Sequence, residues 1–197
     1  MSEPLDDRLH VIAAGFTGDA SAARTGLGHP DPTVRASALV ALHRLGGLED
    51  GDIRAAIADP DPRVRRTALE LSPGFPDVGI HGLVDDPDLF VAEMAAWAIG
   101  ERSDPGDTAL TVLIDRTMTH DEQLVREACA AALGSIGDPR GLPAILAACN
   151  DKPAVRRRAV LALAPFEGPE VDAALHTALQ DRDWQVRQNA EILLNPR

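Results

Sequence analysis

Apolar residues recur along the chain with the spacing of one helical face, in six segments that resemble one another. In the first segment, the residues at +4, +7, +8 and +11 from Val34 are apolar: Ala38, Ala41, Leu42 and Leu45. Each segment contains a valine, and successive valines are about 30 residues apart, the period of a two-helix repeat: Val34, Val64, Val91, Val125, Val155 and Val186. No segment has the period of a strand. The pattern therefore predicts an all-α chain of repeated helical hairpins.

Residues that begin and end helices support one helix around each valine. An aspartate stands three residues before the valine, at the N-cap position, in four segments: Asp31, Asp61, Asp88 and Asp183. A proline follows at the first helical position, where a missing N–H costs nothing, in three segments: Pro32, Pro62 and Pro153. Gly46 and Gly137 stand twelve residues after their valines and are expected to end the helices.

Shorter and less regular helices are predicted between these segments, near residues 19–28, 49–58, 76–85, 105–118, 139–149 and 169–180. Residues 5–16 are predicted to form one further helix that caps the N-terminal end. We therefore expect a single domain over residues 1–197, with repeats at about 19–46, 49–72, 75–101, 104–137, 138–165 and 168–195.

Charge and composition narrow the possible partners. The chain has a formal net charge of −12, and only 3% of its residues are aromatic. Because an acidic field repels phosphate, we expect neither nucleic acid nor an anionic membrane as a partner. The acidic start has no apolar core of signal-peptide length, so a cytoplasmic location is expected. Lys152 is the only lysine, and this bias towards arginine indicates a GC-rich bacterial genome.

The repeated pattern D-P-x-V-R-x-x-A-x-x-A-L-x-x-L-G resembles HEAT repeats, and especially the short bacterial type called PBS-lyase HEAT-like repeats. The resemblance covers nearly the whole chain. It implies an α-solenoid, a right-handed superhelix of about six antiparallel helical hairpins. The implication for function is weaker, because one scaffold hosts many functions.

The resemblance implies a structural role for the arginine that follows the valine in five of the six units: Arg35, Arg65, Arg126, Arg156 and Arg187. In such repeats this arginine reaches an aspartate near the turn of a neighbouring repeat, and the pairs form an internal ladder. Arginine suits this role because its fork can bridge several acceptors. The third unit has Ala92 in this place and loses the ladder arginine.

The resemblance also implies that the second helix of each repeat lines a concave surface, reached by positions +2, +3 and +6 from the valine. The centre of this surface is predicted to be apolar and acidic, with a flanking basic patch. The predicted partner-binding residues are Trp97, Met94, Glu93, Glu127, Leu161, Arg157 and Arg158. Such a surface suits a peptide or protein with a hydrophobic anchor and some positive charge.

Two roles are open for Trp97 in this irregular third repeat. It either covers the seam with a neighbouring repeat, with Glu93 accepting a hydrogen bond from its indole, or stays accessible as an anchor for a partner. Gly79 and Gly82 weaken the first helix of the same repeat and could allow adjustment.

No catalytic or metal-binding motif is recognised, and no cofactor is expected. His120, Asp121 and Glu122 are adjacent potential ligands, but neighbours at a helix start rarely converge on one ion. Cys129 and Cys149 lie within apolar helical patterns and have no local base, so they are expected to pack as small hydrophobes.

The leading hypothesis is a non-enzymatic scaffold or adaptor that binds an unknown protein or peptide. The alternative, suggested by the name of the repeat family, is a subunit of a bilin lyase-type enzyme, which would need cationic groups for the pigment's propionates. A purely structural spacer is the third possibility. The expected state is a monomer or a weak dimer through the C-terminal repeat.

Overall fold

The computed structural model describes residues 3–195, with side chains from residue 5 onward. The described part of the chain contains twelve α-helices and three short 3-10 segments, and it contains no strand. It divides into two compact units, one ending at Ile80 and the other starting at His81. Each unit is built from helices that pack side by side, as the hydrophobic period predicts.

The N-terminal unit contains five helices: α1 (Glu3–Thr17), α2 (Ala20–Gly26), α3 (Pro32–Arg44), α4 (Asp50–Ala56) and α5 (Pro62–Leu71). Helix α3 packs between α1 and α5, and α2 and α4 cover their flanks. The core is aliphatic, and the second-helix residues Ala38, Leu39 and Leu42 lie fully buried within it.

The C-terminal unit contains seven helices: α6 (Leu89–Gly100), α7 (Asp107–Thr119), α8 (Gln123–Ile136), α9 (Leu142–Ala148), α10 (Pro153–Ala162), α11 (Pro169–Ala178) and α12 (Trp184–Leu194). Helices α6, α8, α10 and α12 pack in that order, each against the next. Five of the six predicted first helices and all six second helices are therefore present across the two units.

Local capping follows the sequence signals closely. The carboxylates of all four predicted N-cap aspartates accept hydrogen bonds from backbone N–H groups of the first helical turn: Asp31, Asp61, Asp88 and Asp183. Gly137 has a φ of +68°, a left-handed conformation that suits glycine, and it ends α8 as predicted.

The first helix predicted near residues 76–85 is absent, and this prediction is wrong. The described chain forms only a 3-10 segment there, His81–Asp85. Pro76 supplies no backbone donor, and Gly79 and Gly82 favour helix weakly, so an α-helix has little to sustain it. Within the third repeat, helix α6 packs against this 3-10 segment in place of a first helix.

Glycine–alanine contacts set how closely the second helices approach one another. A Cβ atom added at Gly100 would lie 2.9 Å from the Cα of Ala132, which joins α6 to α8 at backbone distance. The same arrangement joins α8 to α10, where a Cβ on Gly134 would lie 2.6 Å from the Cα of Ala162. Small side chains are required at these contacts because nothing larger fits.

The all-α repeat architecture predicted from the sequence is confirmed for the described residues. The single domain over residues 1–197 and its repeat boundaries stay predictions. Among the helices that the structure describes, none is both long enough and apolar enough to cross a bilayer.

Candidate functional site

A groove of about 210 Å³ in the C-terminal unit brings together part of the predicted binding site. We call it the Trp97 groove. Its walls come from α6 and α8, with one arginine from α10, and include Glu93, Trp97, Glu101, Glu127 and Arg158. Four of these five side chains were predicted from the sequence, and Glu101 was not.

Trp97 is open to solvent in this groove. Its surface is 41% exposed, while the neighbouring core residues of α6 are buried. No residue in the described part of the chain accepts a hydrogen bond from its indole N–H, so the bond to Glu93 that the seam-covering role would use is not formed. The hydrogen bond that would have favoured a seam-covering role is therefore missing.

The Trp97 groove has a negative rim. Glu93 and Glu101 lie one helical turn before and after Trp97, and within residues 3–195 neither carboxylate forms an ion pair. Glu127 is partly balanced by Arg158, whose Nε lies 3.6 Å from its Oε1. Two uncompensated carboxylates therefore flank an exposed indole.

The other predicted partner-binding residues lie outside this groove. Met94 is half-buried, and Leu161 is 39% exposed on α10. Arg157 binds the carboxylate of Asp183, with its Nε 3.1 Å from both oxygens. This pair lowers the pKa of Asp183 to about 2 because Arg157 donates hydrogen bonds to it. The basic patch predicted around Arg157 is therefore largely neutralised.

A second and larger groove, of about 460 Å³, lies in the N-terminal unit. We call it the arginine groove. Its floor includes Gly15 and Ala41, whose backbones meet where α1 crosses α3; a Cβ on Gly15 would lie 3.0 Å from the Cα of Ala41. Exposed apolar side chains on the walls include Ile12, Phe16 and Val40.

Four arginines from three helices surround the arginine groove: Arg8, Arg44, Arg63 and Arg66. Arg63 is held by Asp61 in a two-point ion pair, which lowers the pKa of Asp61 to about 2. Within residues 3–195 the other three have no carboxylate partner. The arginine groove therefore has a positive rim in a protein with a net charge of −12.

Two of these arginines contact other side chains of the arginine groove. The Nε of Arg8 donates to the hydroxyl of Ser37 at 3.2 Å. The guanidinium of Arg44 lies 3.9 Å from the ring centroid of Phe16, a cation–π contact. Neither contact neutralises the charge, so both arginines remain able to pair with an anion.

The ladder arginines hold neighbouring repeats together within each unit. Arg126 donates from Nε and Nη2 to both oxygens of Asp151, at 2.6 and 2.9 Å, and from Nη1 to the carbonyls of His120 and Asp121. Arg35 binds Asp59 in the same way, and so does Arg156 with Asp181. These bonds raise the pKa of each arginine and keep it charged.

The remaining two ladder arginines also donate hydrogen bonds to backbone carbonyls. Arg65 donates to the carbonyls of Asp59 and Pro60 at 2.9 and 3.2 Å. Arg187 is exposed and donates to the carbonyl of Asp181 at 2.7 Å, and no carboxylate in the described chain pairs with it.

Comparison with family models identifies the repeat. Residues 76–155 match the model described as HEAT repeats, and residues 155–181 match the model described as PBS lyase HEAT-like repeat. The chain is a HEAT-repeat protein of the PBS-lyase type. The two matches together span more than half of the sequence and include the helices of the Trp97 groove. No curated protein matches the chain.

Solved structures with the same fold include several helical-repeat proteins. A designed armadillo repeat protein, solved in complex with the peptide (KR)4, has a TM-score of 0.63 at 17% identity and covers 87% of this chain and 96% of its own. A chain of the complex of CpcE and CpcF of phycocyanin lyase from Nostoc sp. PCC7120 has a TM-score of 0.61 at 20% identity. It covers 74% of this HEAT protein and 98% of its own chain. These similarities establish the α-solenoid fold.

Sequence reasoning missed the arginine groove. Arg66 stands at +2 and Val40 at +6 in their HEAT repeats, so the positional rule that pointed to Trp97 also pointed here. One wall comes from α1, where Arg8 and Phe16 lie outside any repeat register. A rule based on the repeat alone could not place them opposite α3.

The residues considered for catalysis or metal binding have other surroundings. Burial raises the pKa of the Cys129 thiol to about 12 and that of Cys149 to about 11, so neither is activated as a nucleophile. The Nδ1 of His120 accepts a hydrogen bond from the backbone N–H of Glu122 at 3.1 Å. Among residues 3–195, no group of three acidic, histidine or cysteine side chains is arranged to hold an ion.

Proposed function

We propose that this HEAT-repeat chain is a non-enzymatic, cytoplasmic scaffold of a bacterium that binds a protein or peptide segment in the Trp97 groove. The observation that carries the proposal is an exposed tryptophan flanked on its own helix by two carboxylates without ion pairs. The partner segment has an apolar side chain that covers the indole and one or more basic residues that pair with Glu93 and Glu101.

The energetic case rests on the combination of an anchor and a charged rim. Tryptophan is among the residues that contribute most when an interface buries them, because it removes a large apolar area from water at a low cost in side-chain entropy. Carboxylates at the rim contribute little to affinity on their own, but they select partners by charge and speed the encounter.

One solved structure with a similar helical-repeat fold contains a bound peptide. The designed armadillo repeat protein with a similar fold was solved with the peptide (KR)4. That peptide is therefore a reasonable first probe, together with a derivative that carries a central leucine to contact the indole.

Because the chain has only two tryptophans, the test has a built-in reporter. A Trp184→Phe variant leaves Trp97 as the only tryptophan, and its emission should shift to shorter wavelength when the leucine-bearing peptide covers it. Trp97→Ala should weaken binding of that peptide by about 30-fold, equivalent to a hot-spot loss of about 2 kcal/mol.

The matched control is Trp184→Ala, since Trp184 is also exposed, at 60%, and lies on α12 outside the groove. This variant should bind as wild type does. Thermal unfolding of both variants shows whether the fold persists. Equal affinity of Trp97→Ala and wild type, or loss of binding only together with unfolding, contradicts the proposal.

A bilin lyase-type subunit is the second candidate function. The arginine groove favours it, because unpaired arginines beside Phe16 could receive the propionates of a pigment. Titration with a linear tetrapyrrole, followed by absorbance in the presence and absence of a candidate partner subunit, separates this function from that of a scaffold.

We also propose that the protein is a monomer or a weak dimer that associates through its C-terminal repeat. Trp184 and Ile192 on α12 are 60% and 55% exposed, and Arg187 beside them has no carboxylate partner in the described chain. Sedimentation velocity over a concentration series tests this, and Ile192→Asp should remove any concentration dependence.

A further inference from the structure

We infer that the arginine groove is a second binding site, distinct from the Trp97 groove, and that its occupant is an acidic peptide segment with one apolar side chain. The apolar side chain lies against Phe16 and Val40, and the acidic residues pair with the arginines of the rim. Because the partner has the opposite charge to that proposed for the Trp97 groove, the two sites bind different segments.

The arginine groove concentrates positive charge that internal carboxylates do not neutralise. Three of its four arginines lack a carboxylate partner within residues 3–195. This is unusual in a chain where acidic residues outnumber basic ones by 31 to 19, and where most other arginines are held by an aspartate. An anion that enters the groove therefore meets cations that no internal carboxylate competes for.

Two of the unpaired arginines are held in place by neighbouring side chains. Arg8 is oriented by the hydroxyl of Ser37, and Arg44 is oriented by the ring of Phe16. A guanidinium that is already ordered loses less conformational freedom when it pairs with a carboxylate, and its planar fork matches both oxygens. The contacts that hold these arginines occupy one nitrogen or one face and leave the other donors available.

The positions of the unpaired arginines favour an extended acidic segment over a compact anion as the ligand of the arginine groove. The unpaired arginines stand on three helices: Arg8 on α1, Arg44 on α3 and Arg66 on α5. The two propionates of a pigment, or a single phosphate, could engage one side of such a rim. A chain of several carboxylates engages all three helices, with the exposed apolar wall between them covered by one side chain.

The experiment measures binding of two pools of short fluorescein-labelled peptides to the full chain by anisotropy. In one pool each peptide has a single phenylalanine among glutamates and glycines, and in the other pool lysines replace the glutamates. We expect saturable binding of the glutamate pool that weakens as salt is raised. Arg66→Glu should weaken it by at least about tenfold, because a like charge then faces the acidic segment.

The matched control is Arg182→Glu, which makes the same charge change at an exposed arginine that has no ion pair in the described chain and lies outside the groove. It should leave binding of the glutamate pool within about twofold of wild type. Circular dichroism of both variants confirms that the helices persist. Equal weakening by the two variants shows that net charge alone is responsible and overturns the inference.

Further arms distinguish an acidic peptide from competing ligands of this groove. Trp97→Ala should not change binding of the glutamate pool, and a shared loss would overturn the claim of two independent sites. Binding of a linear tetrapyrrole or of a DNA duplex that is lost in Arg66→Glu, without binding of the glutamate pool, would assign the groove to that ligand and overturn the peptide inference. Preference for the lysine pool in this groove would overturn it as well.

Discussion

The two grooves have the same kind of floor and opposite rims. In each groove, a glycine of one helix lies against the backbone of an alanine on a neighbouring helix. Gly15 of α1 contacts Ala41 of α3 in the arginine groove, and Gly100 of α6 contacts Ala132 of α8 in the Trp97 groove. Above the floor, one rim carries unpaired arginines and the other carries unpaired glutamates. The difference shows that the fold dictates the floor, whereas the chemistry of the rim is left to a few exposed positions.

The reason for this division is physical. At the floor, even a methyl group added to the glycine would press against the backbone of the facing helix, so packing leaves almost no choice of residue. At the rim, the side chains are solvated and contribute little to stability, so their charge can vary without loss of the fold. Partner choice in this protein is therefore expected to depend on the rim residues.

The largest effect is expected from overpacking a glycine–alanine contact between two second helices. Gly134→Ala places a Cβ atom within 2.6 Å of the Cα and 2.7 Å of the Cβ of Ala162, so α8 and α10 must move apart. We expect a loss of about 3 kcal/mol in the free energy of unfolding, at the upper end for overpacked sites. Gly15→Ala and Gly100→Ala place the new Cβ atom 3.0 and 2.9 Å from the nearest Cα, so each should cost less, and the two costs should be similar.

Urea unfolding measures these losses, and Gly51→Ala serves as the control. Gly51 lies in α4 with no atom within 4 Å of its added Cβ. This variant should gain about 0.5–1 kcal/mol, because alanine favours helix over glycine. A stable Gly134→Ala variant would mean that the helices do not approach as closely as described.

A smaller loss is expected from Arg126→Ala. The substitution leaves Asp151 without its partner and two backbone carbonyls without a donor, at a cost of about 1–3 kcal/mol. Arg187→Ala is the matched control, because Arg187 is exposed and donates a single hydrogen bond, of 2.7 Å, to a carbonyl within the described chain. Its urea midpoint should hardly change. Equal losses in the two variants would mean that the arginine acts through local helix packing rather than through the aspartate.

The ladder should also make stability depend on pH under acidic conditions. Arg126 lowers the pKa of Asp151, and Arg156 lowers that of Asp181, from the ordinary value of 3.8. Since these folded-state pKa values are depressed, the stabilisation is complete above about pH 4 and is lost as the pH falls through the folded values. Asp151→Asn should show a flatter decline over this range in urea titrations at successive pH values. A slope identical to that of wild type would show that other carboxylates dominate acid unfolding.

The sequence predicted the helices better than the grooves, and the reason is the range of the interactions involved. Caps such as Asp31 and Asp88 act on the next few residues, so their effect is visible in a short segment. The pair of Arg157 with Asp183 joins residues 26 apart and depends on how two repeats pack. Gly79 and Gly82 were sequence signals against a helix at 76–85. The prediction placed a helix there because the repeat period favoured one.

The Trp97 groove was partly predictable for the same reason. Trp97, Glu93 and Glu127 occupy the +6 and +2 positions counted from the valines of the third and fourth repeats, so their common surface followed from the period. Glu101 lies just beyond the helix end, where the +2, +3 and +6 rule does not reach. It became visible as part of the groove only once the packing of α6 against α8 was known.

The smallest effect concerns this same residue, and it distinguishes a functional rim charge from a structural one. Glu101 is the C-cap residue of α6, where the helix dipole disfavours a negative charge. Glu101→Gln should therefore raise the free energy of unfolding slightly, by about 0.3 kcal/mol or more. It should also weaken binding of a leucine-bearing (KR)4 peptide by about twofold, because one rim attraction is lost.

In Glu101→Gln, stability rises while peptide affinity falls only if the carboxylate of Glu101 contributes to binding and destabilises the fold. Glu127→Gln is the comparison variant, since Arg158 already balances that charge and its removal should affect peptide binding less. Arg66→Gln, in the other groove, should leave this peptide's affinity unchanged. Raising the salt concentration should shrink the difference between Glu101→Gln and wild type, because the lost attraction is screened. If Glu101→Gln instead binds the basic peptide more tightly, the acidic rim does not select the partner, and the contrast between the two grooves has no role in recognition.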